Sequence, residues 1–183
     1  ELSRVASFAA LSQDDLENLA VRGSRLFAFG HDLDRHGHSL GADQVYQQAI
    51  SLLESGFAGT QKVLSPSQFA QIAVRHGQVL FTLRRFASAT AAFRRAVELL
   101  EESRTDGVST AAIELLARSY SWLGHAEFMA NRADSAVETF RTARLYWRSL
   151  LKIAPQSKVL YYRRALVSTC FGSSKALEKS GKY

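Results

Sequence analysis

Gly30-His-Asp-Leu-Asp-Arg-His-Gly-His-Ser-Leu-Gly-Ala42-Asp-Gln-Val-Tyr46-Gln-Gln-Ala49 is the first of three stretches that share one spacing. Gly77 stands ahead of Ala89, Phe93 and Ala96, and Gly124 stands ahead of Ala136, Phe140 and Ala143, in the same G-x11-A-x3-[FY]-x2-A order. Both steps between the glycines are 47 residues. A fixed period means that one supersecondary unit recurs, each copy burying against its neighbour a face it cannot bury alone. The expectation is an all-α chain of antiparallel helix pairs stacked as an α-solenoid, with about seven to eight helices. Such a stack is a binding surface more often than a catalytic vessel.

Apolar residues at helical spacing lead into each glycine: Leu26, Phe27, Phe29 and Leu33, then Ile72, Leu80 and Phe81, then Leu116, Tyr120, Leu123 and Phe128. These segments read as the first helix of each pair. Ala42, Tyr46 and Ala49 stand at i, i+4 and i+7, one face of a second helix, and the later copies repeat that face. A glycine inside a helix costs about 1 kcal/mol relative to alanine. Three at equivalent places therefore imply a close backbone approach. The alanines opposite permit it, and the aromatic fills the gap between pairs.

The order of glycine, Ala-x3-aromatic and alanine resembles the signature of the tetratricopeptide repeat (TPR) family, and Leu123-Gly124 matches its Leu-Gly step. His76 stands where that leucine is expected before Gly77, and Glu127 where a tyrosine is typical. The period also exceeds the family's roughly 34 residues. The surplus falls between the last alanine of one copy and the glycine of the next, so it is expected to lengthen the second helix and the following first helix. The resemblance covers residues 23–183. It implies a right-handed superhelix whose first helices line a concave groove. Long-spaced arrays of this kind resemble TPR regions of bacterial signalling proteins, such as Ser/Thr kinases and STAND-type NTPases.

In tetratricopeptide proteins the ligand residues flank the glycine. Carried over, the resemblance implies Ser24, Phe27 and His31 in the first copy, Gln71, Val74, Gln78 and Phe81 in the second, and Arg118, Ser121, His125 and Phe128 in the third. Aromatic, amide, imidazole and guanidinium groups together suit a peptide with apolar anchors and a few fixed polar contacts. The Lys/Asn set by which some relatives clamp a C-terminal carboxylate is not at these positions, which argues against a receptor for chaperone tails. The plainer alternative is that Phe27, Phe81 and Phe128 pack between neighbouring first helices.

The chain reads as one domain: a helical lead-in over residues 1–22, repeats near 23–65, 66–108 and 109–155, and a truncated fourth over 156–183. Pair boundaries are expected near residues 36–41, 83–86 and 131–133. Ser12 with Asp15, and Ser65 with Pro66 and Gln68, have the spacing of helix N-caps. Thr105-Asp-Gly107 reads as a turn, and Pro155 separates two helical patterns. Leu177-Glu-Lys-Ser-Gly-Lys-Tyr183 reads as the end of a first helix without its second, which would leave an apolar face open to self-association. These ends suggest a fragment of a larger signalling or regulatory protein.

Hydrophobic residues make up 46% of the 183, enough for a sizeable elongated core. No apolar run approaches the roughly 18 residues that a membrane span needs. One cysteine, Cys170, excludes an internal disulfide and fits a reducing compartment, so cytoplasm is the expected location. Residues 1–65 carry 5 Lys/Arg against 8 Asp/Glu, while residues 66–183 carry 18 against 9. Within the basic part Arg141, Arg144, Arg148 and Lys152 fall on one helix face, as a patch for an acidic partner or as a solvated outer face. No nucleic-acid motif accompanies the excess, which argues against that partner.

Chemistry is scarce. His31, His36 and His38 with Asp32 and Asp34 fit no established zinc spacing, so no metal is expected. No Gly-rich phosphate loop is present, Cys170 reads as a packed small hydrophobe, and neither His76 nor His125 has a nucleophile at fixed spacing. The expectation is therefore no enzyme and no cofactor. It is a scaffold holding a protein or peptide in the groove, or alternatively a peptide- or ligand-sensing domain that controls an attached enzyme or transcription domain.

Overall fold

A computed structural model describes residues 13–57, 65–103 and 109–181. Among these residues lie seven α-helices and no strand: α1 (Gln13–Arg35), α2 (Ser39–Phe57), α3 (Pro66–Thr82), α4 (Phe86–Glu102), α5 (Thr110–Met129), α6 (Ala133–Lys152) and α7 (Gln156–Ser180). Each helix packs on the next in sequence, and α1, α3, α5 and α7 also touch in series. Among the described residues α2, α4 and α6 make no such contact with one another. The odd helices therefore form the closer layer.

Three of the connections are tight turns of one kind. Gly37, Arg84 and Asn131 all have positive φ (80°, 59° and 64°). The chain there folds back through Schellman-type bonds: the amides of His38, Arg85 and Arg132 donate to the carbonyls of Leu33, Leu80 and Glu127 at 2.9, 2.9 and 2.8 Å. These turns fall at the expected boundaries and repeat the 47-residue step. Turns this short make the pairs α1/α2, α3/α4 and α5/α6 antiparallel. Ser65 and Gln68 form the expected capping box, with Pro66 in the first turn. Ser109 caps α5 through the Ala112 amide. The expected cap at Ser12 and the turn at Thr105–Gly107 lie outside the described residues.

The period is kept where the two helices of a pair meet: first helices end at Arg35, Thr82 and Met129, and second helices begin at Ser39, Phe86 and Ala133, all in 47-residue steps. One contact recurs with it. A Cβ placed on Gly77 would stand 2.7 Å from the Phe93 ring, one on Gly124 2.8 Å from Phe140, and one on Gly30 3.1 Å from Tyr46. The aromatic of each second helix thus lies flat on the backbone of its first helix, and all three rings are fully buried. One layer further from the turn the arrangement recurs. Gly23, Ala70 and Ala117, and opposite them Leu53, Leu100 and Trp147, keep the same 47-residue steps; a Cβ on Gly23 would come within 2.7 Å of Leu53, and the later pairs share buried clusters.

The rings also reach the following unit. Phe93 stacks on Trp122 of α5 at 5.9 Å, and Phe140 touches Gly172 of α7, where a Cβ would stand 2.6 Å from the ring. Carboxylates complete the ties between units, Asp43 and Glu127 buried and Glu101 half-buried. Asp43 of α2 accepts from Arg85 at 2.6 Å and pairs with the His76 ring of α3 at 2.8 Å. Glu127 of α5 accepts from Arg94 of α4 at 3.2 Å and from Thr139 of α6 at 2.7 Å. Glu101 of α4 accepts from the Tyr120 and Tyr146 hydroxyls at 3.3 and 2.7 Å. Each carboxylate ends with partners enough to offset its desolvation, and cutting one partner away leaves the rest unpaired.

Two predictions follow from this packing. Gly77→Ala gains helix propensity of about 1 kcal/mol but drives a methyl into a ring that cannot retreat, so a net loss of about 1–2 kcal/mol in urea unfolding is expected. Gly30→Ala, with more room, should cost less, and the reverse order would contradict the contact geometry.

The second concerns Tyr46, whose hydroxyl is buried without a hydrogen-bond partner among the described residues while Phe occupies the equivalent places. Burial, and then the Asp34 charge, push its phenol up from 10.0 to about 12. Between those values the unfolded chain loses a proton that the folded protein keeps, so stability present below pH 10 is lost as pH rises toward about 12. Tyr46→Phe should flatten that decline and leave neutral-pH stability equal or higher by up to about 1 kcal/mol. Urea titrations at neutral and alkaline pH check both.

Candidate functional site

The contact between each glycine and its aromatic fixes the rotation of the first helices, and with it which of their residues face away from the second helices. Those residues enclose a cavity of about 570 Å³. Phe27, Ala28 and His31 enter from α1, Gln71, Val74 and Arg75 from α3, Ala111, Glu114, Leu115 and Arg118 from α5, and Lys158 from α7. Every lining residue belongs to α1, α3, α5 or α7.

A second cavity of about 380 Å³ adjoins it, reached by Phe81 of α3, Arg118, Ser121, Trp122 and His125 of α5, Trp147 of α6, and Tyr161, Ala165, Ser168 and Thr169 of α7. Arg118 borders both. Its guanidinium is half-buried and has no ion-pair partner among the described residues. Arg75 donates to Gln78 at 3.3 Å and has no carboxylate partner among the described residues. Glu114 is already engaged, accepting from Lys158 at 2.6 Å and from the Tyr162 hydroxyl at 2.9 Å. The first cavity therefore offers two uncompensated guanidinium groups beside apolar walls.

Of the residues expected at a groove, Phe27, His31, Gln71, Val74 and Arg118 line the first cavity, and Phe81, Ser121 and His125 join Arg118 at the second. Ser24, Gln78 and Phe128 line neither. Gln78 is held by Arg75, and Phe128 packs on the Ala136–Phe140–Ala176 cluster with the Lys179 ammonium 5.0 Å over its ring. Packing and groove lining coincide at Phe81, which meets Phe86 and Trp122 edge-on at 5.2 and 5.6 Å. Phe27 likewise packs 5.9 Å from Tyr46.

Ser121 is fully employed. It accepts from the Trp147 indole at 2.9 Å, donates to the Ala117 carbonyl and lies 3.1 Å from the Thr169 hydroxyl. His125 packs edge-on against Phe140 at 4.9 Å, and burial pushes its imidazole down from the usual range, toward the neutral form. Arg75, Glu114, Lys158, Trp122, Trp147 and Tyr161 were not singled out for the groove by the sequence. The 47-residue step was the available signal, since Ala28, Arg75 and Trp122 share one register, as do Ala111 with Lys158 and Glu114 with Tyr161.

The basic stripe is not uniform. Arg141, Arg148 and Lys152 are exposed, with Arg141 3.5 Å from Glu138. Arg144 is half-buried, and its Nε is buried with no hydrogen-bond partner among the described residues. The histidines near the first turn diverge: His31 faces the cavity, while His36 hydrogen-bonds the Asp32 carbonyl at 2.8 Å in solvent. Among the described residues no three His, Cys, Asp or Glu side chains converge as a metal site. None of the described helices is long and apolar enough to cross a membrane. Comparison with protein-family models gives no match, and comparison with curated proteins gives none either.

Proposed function

We propose that this protein is a non-catalytic interaction scaffold, a long-spaced tetratricopeptide-like α-solenoid that holds a peptide or protein segment along the groove of its first helices. The observation that carries the reading is the composition of the larger cavity, whose walls come from the first helices of all four units and from no second helix. Contacts that run only between consecutive helices and between consecutive first helices support an open stack, since a closed bundle would bring its ends together. With second helices out of contact with one another, such a stack curves with α1, α3, α5 and α7 on the inside.

The groove's chemistry suits a segment with apolar side chains and at least one carboxylate. Phe27, Val74 and Leu115 supply apolar wall, Gln71 and His31 supply orienting hydrogen bonds, and Arg118 with Arg75 supplies charge that the protein itself leaves uncompensated. An extended peptide matches a groove that spans four units better than a compact metabolite does.

Selection of a random peptide library displayed on phage tests this. Enriched peptides should lose binding at least tenfold, about 1.4 kcal/mol, to a His31→Ala/Gln71→Ala/Arg118→Ala variant. They should bind a variant with Arg141, Arg148 and Lys152 replaced by serine as they bind the parent. Circular dichroism confirms folding of both. Enriched peptides that ignore the groove substitutions and fail on the stripe variant would move the site to α6 and overturn the reading.

A further inference from the structure

One 47-residue step beyond Gly124 stands Phe171, and one step beyond Ala117 stands Arg164. In the three complete pairs these two slots hold glycine or alanine, and the second helix closes onto them. Gly172 is not a substitute for the missing glycine. A Cβ there would stand 2.6 Å from the Phe140 ring and 3.0 Å from His125, so it faces the preceding pair. On α7 the slot is therefore filled by an aromatic side chain. Phe171 is 62% exposed, and Leu160 (60%) and Val167 (68%) continue the same helix face.

We propose that this face of α7 is a second interaction surface that takes an acidic amphipathic helix of a partner protein, with a small residue of that helix seated over Phe171. The geometry inverts the arrangement inside the pairs. There the first helix supplies the hole and the second helix the ring; here α7 supplies the ring, so the partner must supply the hole. A further helix of the A-x3-[FY]-x2-A kind, set as in the pairs, would bring its aromatic onto Phe171 instead of onto backbone.

Charge identifies the partner's polar face. Arg163 and Arg164 are exposed between Leu160 and Val167, and the Lys175 ammonium lies 4.6 Å over the Phe171 ring. Glu178 is the only carboxylate of α7. A second copy's α7 would repeat these cations against themselves, which disfavours self-pairing through this face. Arginines set inside the apolar strip suit a helix with carboxylates at i, i+3 and i+4, rather than a lipid surface, which favours an unbroken apolar face.

Cys170, the chain's one cysteine, is not packed as the sequence led one to expect but exposed beside Phe171, and reports on this face. The probe is a synthetic helical peptide with leucine on its apolar strip, alanine at the central position and glutamate along both edges. At saturation it should slow iodoacetamide alkylation of Cys170 by about tenfold, because alkylation follows thiol access. Arg163→Glu/Arg164→Glu should restore the rate, and Phe171→Glu provides a second variant should the first lose helicity. Arg118→Ala should keep the protection while losing groove peptides, which separates this surface from the groove. An unchanged alkylation rate would overturn the proposal, as would protection that survives both variants. So would protection given only by phosphatidylserine–phosphatidylcholine vesicles, or only by raising the protein's own concentration.

Discussion

A buried aromatic ring lying on the bare backbone of a facing helix is the contact on which the rest of the structure depends. Tyr46, Phe93 and Phe140 each occupy the space that a side chain on Gly30, Gly77 or Gly124 would need. Such a contact sets the separation of two helices and also their rotation, because only one face of the first helix lacks Cβ atoms. Once the rotation is set, the direction of every other side chain on the first helix is set with it. Phe27, Gln71 and Arg118 face the cavity for that reason, and the helix propensity given up at the glycines is about 1 kcal/mol each.

Joining the pairs is left to different chemistry. Asp43, Glu101 and Glu127 each connect one unit to the next through hydrogen bonds to two side chains, and Glu114 does the same between α5 and α7. These bonds are directional where apolar contact is not, so they hold the angle between units as well as the distance. A cavity lined by four helices keeps its shape only if those angles hold. The carboxylates that stiffen the stack thus also shape the cavity, and Glu114 does both at once by lining it.

The helices and their pairing were legible because the deciding contact uses residues with few alternatives. Glycine in a helix and an aromatic between alanines are conspicuous at any fixed period, and the turns at Gly37, Arg84 and Asn131 follow the same frame. The ties between units were not legible. Nothing in their spacing marks the partners of Asp43 and Glu127, and only packing reveals that Asp43 lies beside His76, 33 residues away, and Glu127 beside Arg94 at the same separation. The lining of the cavity was legible in part. Position near a glycine located His31 and Arg118, but Gln78 shares the register of His31 and Phe128 that of Phe81, so neighbouring side chains make the difference: Arg75 holds Gln78, and Phe128 packs against the Ala136–Phe140–Ala176 cluster. Arg144 shows the same limit on the other side, grouped by spacing with Arg141 and Arg148 yet half-buried. On α7 the frame continues while its content changes, and Phe171 in the glycine slot passes unnoticed in a reading that stops at the third glycine.

The most direct measurement is a double-mutant cycle on the deciding contact, combining Gly77→Ala with Phe93→Leu, set against a cycle combining Gly77→Ala with Phe140→Leu. If each ring lies on the glycine of its own pair, trimming Phe93 relieves the added methyl, and the first cycle should give a coupling energy of about 1 kcal/mol or more. The second should be additive within about 0.5 kcal/mol. Additive behaviour in the first cycle, or equal coupling in both, would contradict the account.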